Sequence, residues 1–209
     1  MTEPTLRYGP DGPTDRELRL IGDVRAKRVL DLGCGDGNAA IAFASQGAVV
    51  IAVDASAPRL GQARRQAEEA EARVEWHEGD LADLAFLRAD SVDLVFSASA
   101  LGEIADLARV FRQVQRVLRP NAPFVFSIDH PAHLCLGPSG ALEHSYFATD
   151  ATTVARATPP VSVYPRTVSE VFTDLGRAGF RVDTIAEPDP ATGELLPSII
   201  VWPARKEGS

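Results

Sequence analysis

The 209-residue chain is long enough for one sizeable hydrophobic core and short for two. Its 45% hydrophobic and 24% charged residues are those of an ordinary globular protein, and no run of about 18 apolar residues offers a membrane span. A formal charge of −8 disfavours a polyanionic partner, and the first residues lack the basic start and apolar stretch of an export signal, so a cytoplasmic protein that binds neither nucleic acid nor membrane is expected.

In chain order, Tyr8-Gly9 and a helix from about residue 15 have two readings, a cover over a ligand or a plain packing segment. Residues 28–32 (Arg-Val-Leu-Asp-Leu) predict a buried strand, followed by a glycine turn from Gly33 to Gly37. Residues 38–46 predict a short helix stopped by Gly47, and the β-branched run 49–53 a strand covered on both faces. A second helix follows at 58–72, with Pro58 near its start, then short strands at 74–77 and 92–97. Ile104, Leu107, Ala108, Phe111, Val114 and Leu118 form a helical stripe ended by Pro120, and 124–128 is a fifth strand. Such alternation implies right-handed crossovers and a doubly wound α/β sheet, which binds ligands beyond the carboxyl ends of its strands. Residues 131–165 lose the pattern, and a loop of that length is usually functional or mobile. Regularity returns with a helix at 167–178, N-capped by Thr167 or Ser169, and strands at 180–186 and 198–202, whose short link suits an antiparallel pair.

The turn Asp31-Leu32-Gly33-Cys34-Gly35-Asp36-Gly37 carries the most information. Its glycines let the chain turn sharply and bring backbone close to a ligand. A dinucleotide fold wants a further glycine where Asn38 stands. Asp31 and Asp36 flank the turn, and two like charges about 4 Å apart at an effective dielectric near 20 repel by roughly 4 kcal/mol, which disfavours a phosphate and favours a sulfonium or ammonium group. Asp54 ends the second strand about 20 residues later, where a carboxylate accepts from ribose hydroxyls; a helix cap is the competing reading. Asp80, after the third strand, accepts either from an adenine amino group or, as an ordinary turn aspartate, from nearby backbone.

These segments, together with Ile51-Ala52-Val53-Asp54-Ala55-Ser56, Glu78-Gly79-Asp80-Leu81, Val92 to Ser97 and Val117-Leu118-Arg119-Pro120, resemble the class I S-adenosylmethionine-dependent methyltransferases over about the first 130 residues. The resemblance implies a Rossmann-like, seven-stranded, mostly parallel sheet with an antiparallel last strand and helices on both faces. It implies a single domain over residues 1–209: an N-terminal cover at 1–26, a cofactor core at 27–130, an acceptor-side insertion or lid at 131–166, and a C-terminal helix and strand pair at 167–204. It implies S-adenosyl-L-methionine as cofactor, with Asp31, Gly33, Cys34, Gly35 and Gly37 at the methionine end, Asp54 and Ala55 at the ribose, Asp80 and Leu81 at the adenine, and Ser97 beside them. The family often carries glycines after the proline that ends the fourth helix; here Asn121-Ala122-Pro123 follows, far from the expected pocket.

The expected partner is a small-molecule methyl acceptor. Enzymes that methylate nucleic-acid bases carry a polar residue, two prolines and an aromatic after the fourth strand, whereas this chain has Ser97-Ala98-Ser99-Ala100-Leu101. Catalysis of methyl transfer is mostly positioning, with a base needed only for an acceptor proton of high pKa. His130, at the end of the fifth strand, is the candidate catalytic residue, as base or orienting donor; a strand-end histidine holding a turn is the equal alternative. Tyr146, Phe147 and Tyr164 either line an acceptor lid or pin the loop. Cys34 and Cys135 have no C-x-x-C spacing, and Asp129, His130, His133 and Cys135 match no standard zinc pattern, so no metal is expected; His144 reads as a loop residue. An NAD-type oxidoreductase and a non-catalytic methyltransferase-fold module are the competing functions.

Overall fold

A computed structural model describes residues 4–10, 12–154, 160–190 and 195–208, so parts of the predicted insertion and of the link between the last two strands lie outside the described residues. In chain order the elements are α1 (Asp15–Leu18), β1 (Arg28–Leu32), α2 (Asn38–Ser45), β2 (Val49–Asp54), α3 (Ala57–Glu69), β3 (Val74–Glu78), β4 (Leu94–Ala98), α4 (Leu107–Val117), β5 (Pro123–Asp129), β6 (Thr152–Val154), β7 (Val161–Val163), α5 (Val168–Arg177), β8 (Phe180–Val182) and β9 (Ile199–Lys206).

Seven strands form one sheet in the order β3-β2-β1-β4-β5-β9-β8, with β9 antiparallel to both neighbours and the remaining pairs parallel. This is the predicted architecture. The order reverses between β1 and β4, which opens a crevice beyond their carboxyl ends. Strands β1 and β2 are nearly continuous apolar runs because helices cover both faces of the sheet. On one face α2 and α3 bring Phe43, Ala40 and Leu60 against Phe96 and Val29. On the other, α4 and α5 bring Phe111, Val114 and Leu175 against Phe124, Phe126 and Trp202.

Several boundaries move for local reasons. The fourth helix begins at Leu107 rather than Ile104, because the Asp106 side chain accepts from the Arg109 N–H at 2.9 Å and caps it there. Residues Leu101–Glu103 form a separate 3-10 turn. Strand β9 continues through Pro203 to Lys206, since β8 ends at Val182 opposite Ala204 and leaves that edge unpaired where the proline lacks an N–H. The predicted strand 180–186 shrinks to three residues, with Ala186 keeping a lone antiparallel bridge to Val201. Thr167 caps α5 and Glu170 reciprocates, in a complete capping box. The irregular stretch after β5 contains a 3-10 turn at His133–Cys135 and the hairpin of β6 and β7, which stands apart from the main sheet.

Phe126 is fully buried, stacked on Phe124 at 4.7 Å between ring centroids and on Trp202 at 6.3 Å. Phe126→Ala is expected to destabilise the fold by about 3–5 kcal/mol, read as a lowered urea midpoint with little change in slope.

Candidate functional site

The site grows from the end of β1. The Gly33 and Cys34 N–H groups both donate to the Val53 carbonyl at 2.8 and 3.0 Å, tying the turn to β2. Gly33 has φ +79°, and a Cβ there would lie 2.2 Å from the Ala100 Cβ, so no side chain fits without moving the segment after β4. Gly37 is similarly enclosed, with Ala63 and Trp76 each 2.9 Å from a Cβ position. At Gly35 the corresponding direction is open. The turn is thus packed tightly from below and left accessible at its crest.

Asp54 holds the crest: one carboxylate oxygen accepts from Gly35 N–H and the other from Ser56 N–H, both at 2.8 Å. Asp54 thus braces the glycine turn and the approach to α3, while the cap of that helix is Ser56, whose side chain accepts from Arg59 N–H. Asp31 is buried to 1% exposure, and its Oδ2 has no hydrogen-bond partner. Burial pushes its carboxyl up to about 7; the Ala40 N–H opposes the shift, and the charges of Asp54 and Asp36 reinforce it. Burial also raises the Cys34 thiol well above its ordinary value, with the charges of Asp31, Asp54 and Asp36 adding to the effect. Asp36 turns to its own helix start and accepts from the Asn38 side-chain amide at 2.9 Å.

A cavity of about 990 Å³ opens over this turn. Of the sequence-predicted residues it is lined by Asp31, Gly33, Cys34 and Gly35. Gly37, Asp54, Ala55, Asp80, Leu81 and Ser97 are not among its described lining residues. Asp54 reaches it through Gly35, and Leu81 packs below Gly33 at 3.2 Å from the Cβ position. Asp80 accepts from Ala82 N–H at 2.9 Å, the ordinary turn arrangement. Ser97 is fully buried within β4. The N-terminal cover segment contributes Pro4, Thr5, Arg7, Gly9 and Pro10 and the insertion contributes Val161, whereas sequence reasoning did not single out Arg59, Gln62 and Gln66 on one face of α3 or Ser99 and Glu103 after β4. The spacing of the α3 residues was a readable signal, but the same pattern marks any solvated helix face.

His130 lies away from the described lining. It is 7% exposed; Ala132 N–H donates to its Nδ1 at 3.1 Å, so its Nε2–H faces a Glu187 carboxylate oxygen at 2.9 Å. Both ring nitrogens are thereby engaged in holding the turn after β5. Tyr146 accepts from Val168 N–H at 3.2 Å and ties the insertion to the start of α5, Tyr164 N–H donates to the Gly102 carbonyl at 2.8 Å, and Phe147 is exposed. Among the described residues no group of three or more His, Cys, Asp or Glu is placed to hold a metal, and no helix is long and apolar enough to cross a membrane.

Residues 29–121 match the family model described as a methyltransferase domain. Ubiquinone biosynthesis O-methyltransferases are similar over part of the chain: that of Aromatoleum aromaticum is 33% identical over 113 residues, covering 54% of this chain and 47% of that protein, and that of Hahella chejuensis 35% over 101 residues, covering 48% and 42%. The chain thus spans about half the length of the curated relatives it matches. Structural similarity is more complete. An S-adenosylmethionine-dependent methyltransferase of Listeria monocytogenes superposes with a TM-score of 0.76 at 28% identity over 92% of this chain and 97% of that one. Its counterpart from Mesorhizobium loti gives 0.78 at 27%, over 91% and 96%. Residues 29–121 thus match a methyltransferase domain, and the described fold is that of S-adenosylmethionine-dependent methyltransferases.

The raised Asp31 carboxyl fixes a pH dependence for the ligand-free protein. The folded state holds this proton more tightly than the unfolded chain, so stability is full below the ordinary value of 3.8 and falls as pH rises through about 7. Asp31→Asn is expected to remove that slope, becoming more stable than the parent at about pH 8 by roughly 2–4 kcal/mol, at 1.36 kcal/mol per pKa unit, in urea titrations across the range.

Proposed function

We propose that this chain binds S-adenosylmethionine in the cavity over the glycine turn and transfers its methyl group to a small-molecule acceptor by in-line displacement. The observation that carries the reading is Asp31: a buried carboxylate oxygen without a partner, at the wall of a cavity, beside backbone that only glycine can form. Such a group is costly until a cation meets it, and the donor's ammonium and sulfonium supply positive charge. The donor contributes an activated methyl on sulfur, and the protein's task is placement.

In this reading the Gly33–Gly37 backbone and Cys34 border the methionine end, while Arg7, at the cavity wall, faces the methionine carboxylate. Asp54, beside Ala55, uses its remaining lone pairs for ribose hydroxyls while keeping Gly35 in place. Asp80 and Leu81, behind the described lining, would bound the adenine side from the end of β3, and Ser97 would support the wall from within β4. His130 acts as a strut for the turn at the acceptor side rather than as a base. A small acceptor is supported by the dimensions of the cavity and by the chain's net charge of −8, which opposes a nucleic-acid partner. The O-methyltransferase names of the curated relatives favour oxygen as the methylated atom. A nicotinamide dinucleotide is disfavoured by Asn38 in place of the third glycine and by the carboxylates at the turn.

Calorimetric titration tests this directly. S-adenosylmethionine and S-adenosylhomocysteine are expected to bind at micromolar levels and NAD not at all. Asp54→Ala should weaken both adenosyl ligands by about 10- to 100-fold, the worth of hydrogen bonds to a charged group. Because the ligand's ammonium favours the ionised form of Asp31, binding at about pH 6 should release close to one proton, seen as an enthalpy that varies with the ionisation heat of the buffer. Absence of adenosyl binding by well-folded protein overturns the reading.

A further inference from the structure

The two ends of the main sheet are finished differently. At one end β8 has three residues, and the exposed Arg181 in its middle turns to the Asp183 carboxylate at 2.9 Å. Short length and exposed charge are the usual guards of a sheet edge. At the other end β3 offers five residues, Val74-Glu75-Trp76-His77-Glu78, in unbroken register with β2 and so without a bulge. It holds neither proline nor lysine, and such an edge pairs readily unless its side chains oppose the neighbour.

One bond fixes which backbone groups this edge presents. Gly79 N–H donates to the Asp54 carbonyl at 3.1 Å, toward β2. Alternation along the strand then turns the N–H and C=O groups of Glu75 and His77 to β2 and those of Val74, Trp76 and Glu78 outward. Among the described residues no strand meets that outward row. Glu75 and His77 share one face, with His77 Nε2 at 2.7 Å from a Glu75 carboxylate oxygen. Phe86, 44% exposed, stacks on the His77 ring at 4.1 Å between centroids.

We propose that this edge pairs antiparallel with the same edge of a second copy of the chain, about a two-fold axis at Trp76. The axis sets Trp76 opposite the partner's Trp76 and Val74 opposite the partner's Glu78. These are the hydrogen-bonded positions, so every outward N–H meets an outward carbonyl. Glu75 then stands opposite the partner's His77 at the other positions, where side chains come closest. Each carboxylate lies between two imidazoles, and each imidazole between two carboxylates. Sliding the register by two residues sets Glu75 against the partner's Glu75, and like charges directly opposite destabilise a pair. Sliding it the other way sets His77 against the partner's His77 and gives up both cross-chain carboxylate contacts. The side chains therefore select one register, and that register is self-complementary. Phe86 adds apolar surface beside it. Since β3 contributes no residue to the described cavity lining, the pairing is independent of the donor reading.

Sedimentation velocity of the full chain near neutral pH tests the pairing. So small an interface predicts reversible dimers with a Kd of about 10–100 micromolar, seen as a sedimentation coefficient that rises with concentration. Glu75→Lys and His77→Glu should each weaken association by about 10-fold, because both cross-chain pairs are lost in every dimer. The double variant Glu75→Lys with His77→Glu exchanges the two charges and should return to within about threefold of the parent. Glu78→Pro removes an outward donor while leaving the bonds to β2 in place, and should abolish association. Urea midpoints verify that each variant is folded. A parent chain still monomeric at about 200 micromolar overturns the proposal. So does association that the single substitutions or Glu78→Pro leave unmoved, or a folded double variant no better than either single one.

Discussion

A carboxylate in the interior with one oxygen left unpartnered is the constraint around which this molecule is arranged. Asp31 sits near the end of a strand covered on both faces, where water cannot solvate its charge. The ligand-free chain accommodates it by favouring the protonated form. The same feature makes the site selective. A ligand that brings positive charge to Oδ2 replaces an energetic cost with an attraction, while a phosphate adds repulsion. Recognition of a cationic ligand and instability of the empty site at high pH are two faces of one placement.

That placement depends on backbone that has no freedom to move. The segment after β4 packs against Gly33 so closely that a methyl group would collide, and Asp54 fastens the crest of the turn through Gly35. The two sides of the crevice are therefore mechanically joined. Ala100 touches the glycine turn, Glu103 follows three residues later, and Tyr164 and Arg166 clamp the same stretch from the insertion. The parallel sheet sets the spacing, and these contacts remove the remaining play. Enzymes that act mainly by positioning need this kind of stiffness more than they need reactive side chains.

Much of this was legible because it is local. Continuous apolar runs identified β1 and β2, the glycine spacing identified the turn, and the stripe through Leu107, Phe111 and Val114 identified α4 despite a three-residue error at its start. Features set by distant partners were not legible. Pro203 reads as the end of a strand until it is known that β8 stops one position short of it. Strands β6 and β7 have three residues each and no apolar alternation strong enough to announce them. In the site, Asp31, Gly33, Cys34 and Gly35 were recoverable from one motif, whereas Arg7, Arg59 and Glu103 converge from segments whose proximity only folding creates. His130 shows the limit in the other direction. Its position at a strand end suggested chemistry, but its surroundings gave both ring nitrogens structural work.

The N-terminal segment bears on the stiffness of the cavity wall. Pro4, Thr5, Arg7, Gly9 and Pro10 stand at the cavity wall, yet Tyr8 between them is fully buried beside Phe96, with its hydroxyl bonded to Asp15. Peeling this segment away would carry a buried ring into water, at a cost of about 2–3 kcal/mol before any hydrogen bond is counted. The opposite wall ends in the hairpin of β6 and β7, three residue pairs outside the main sheet. The burial of one tyrosine thus makes the N-terminal stretch of the cavity wall a fixed part of the fold.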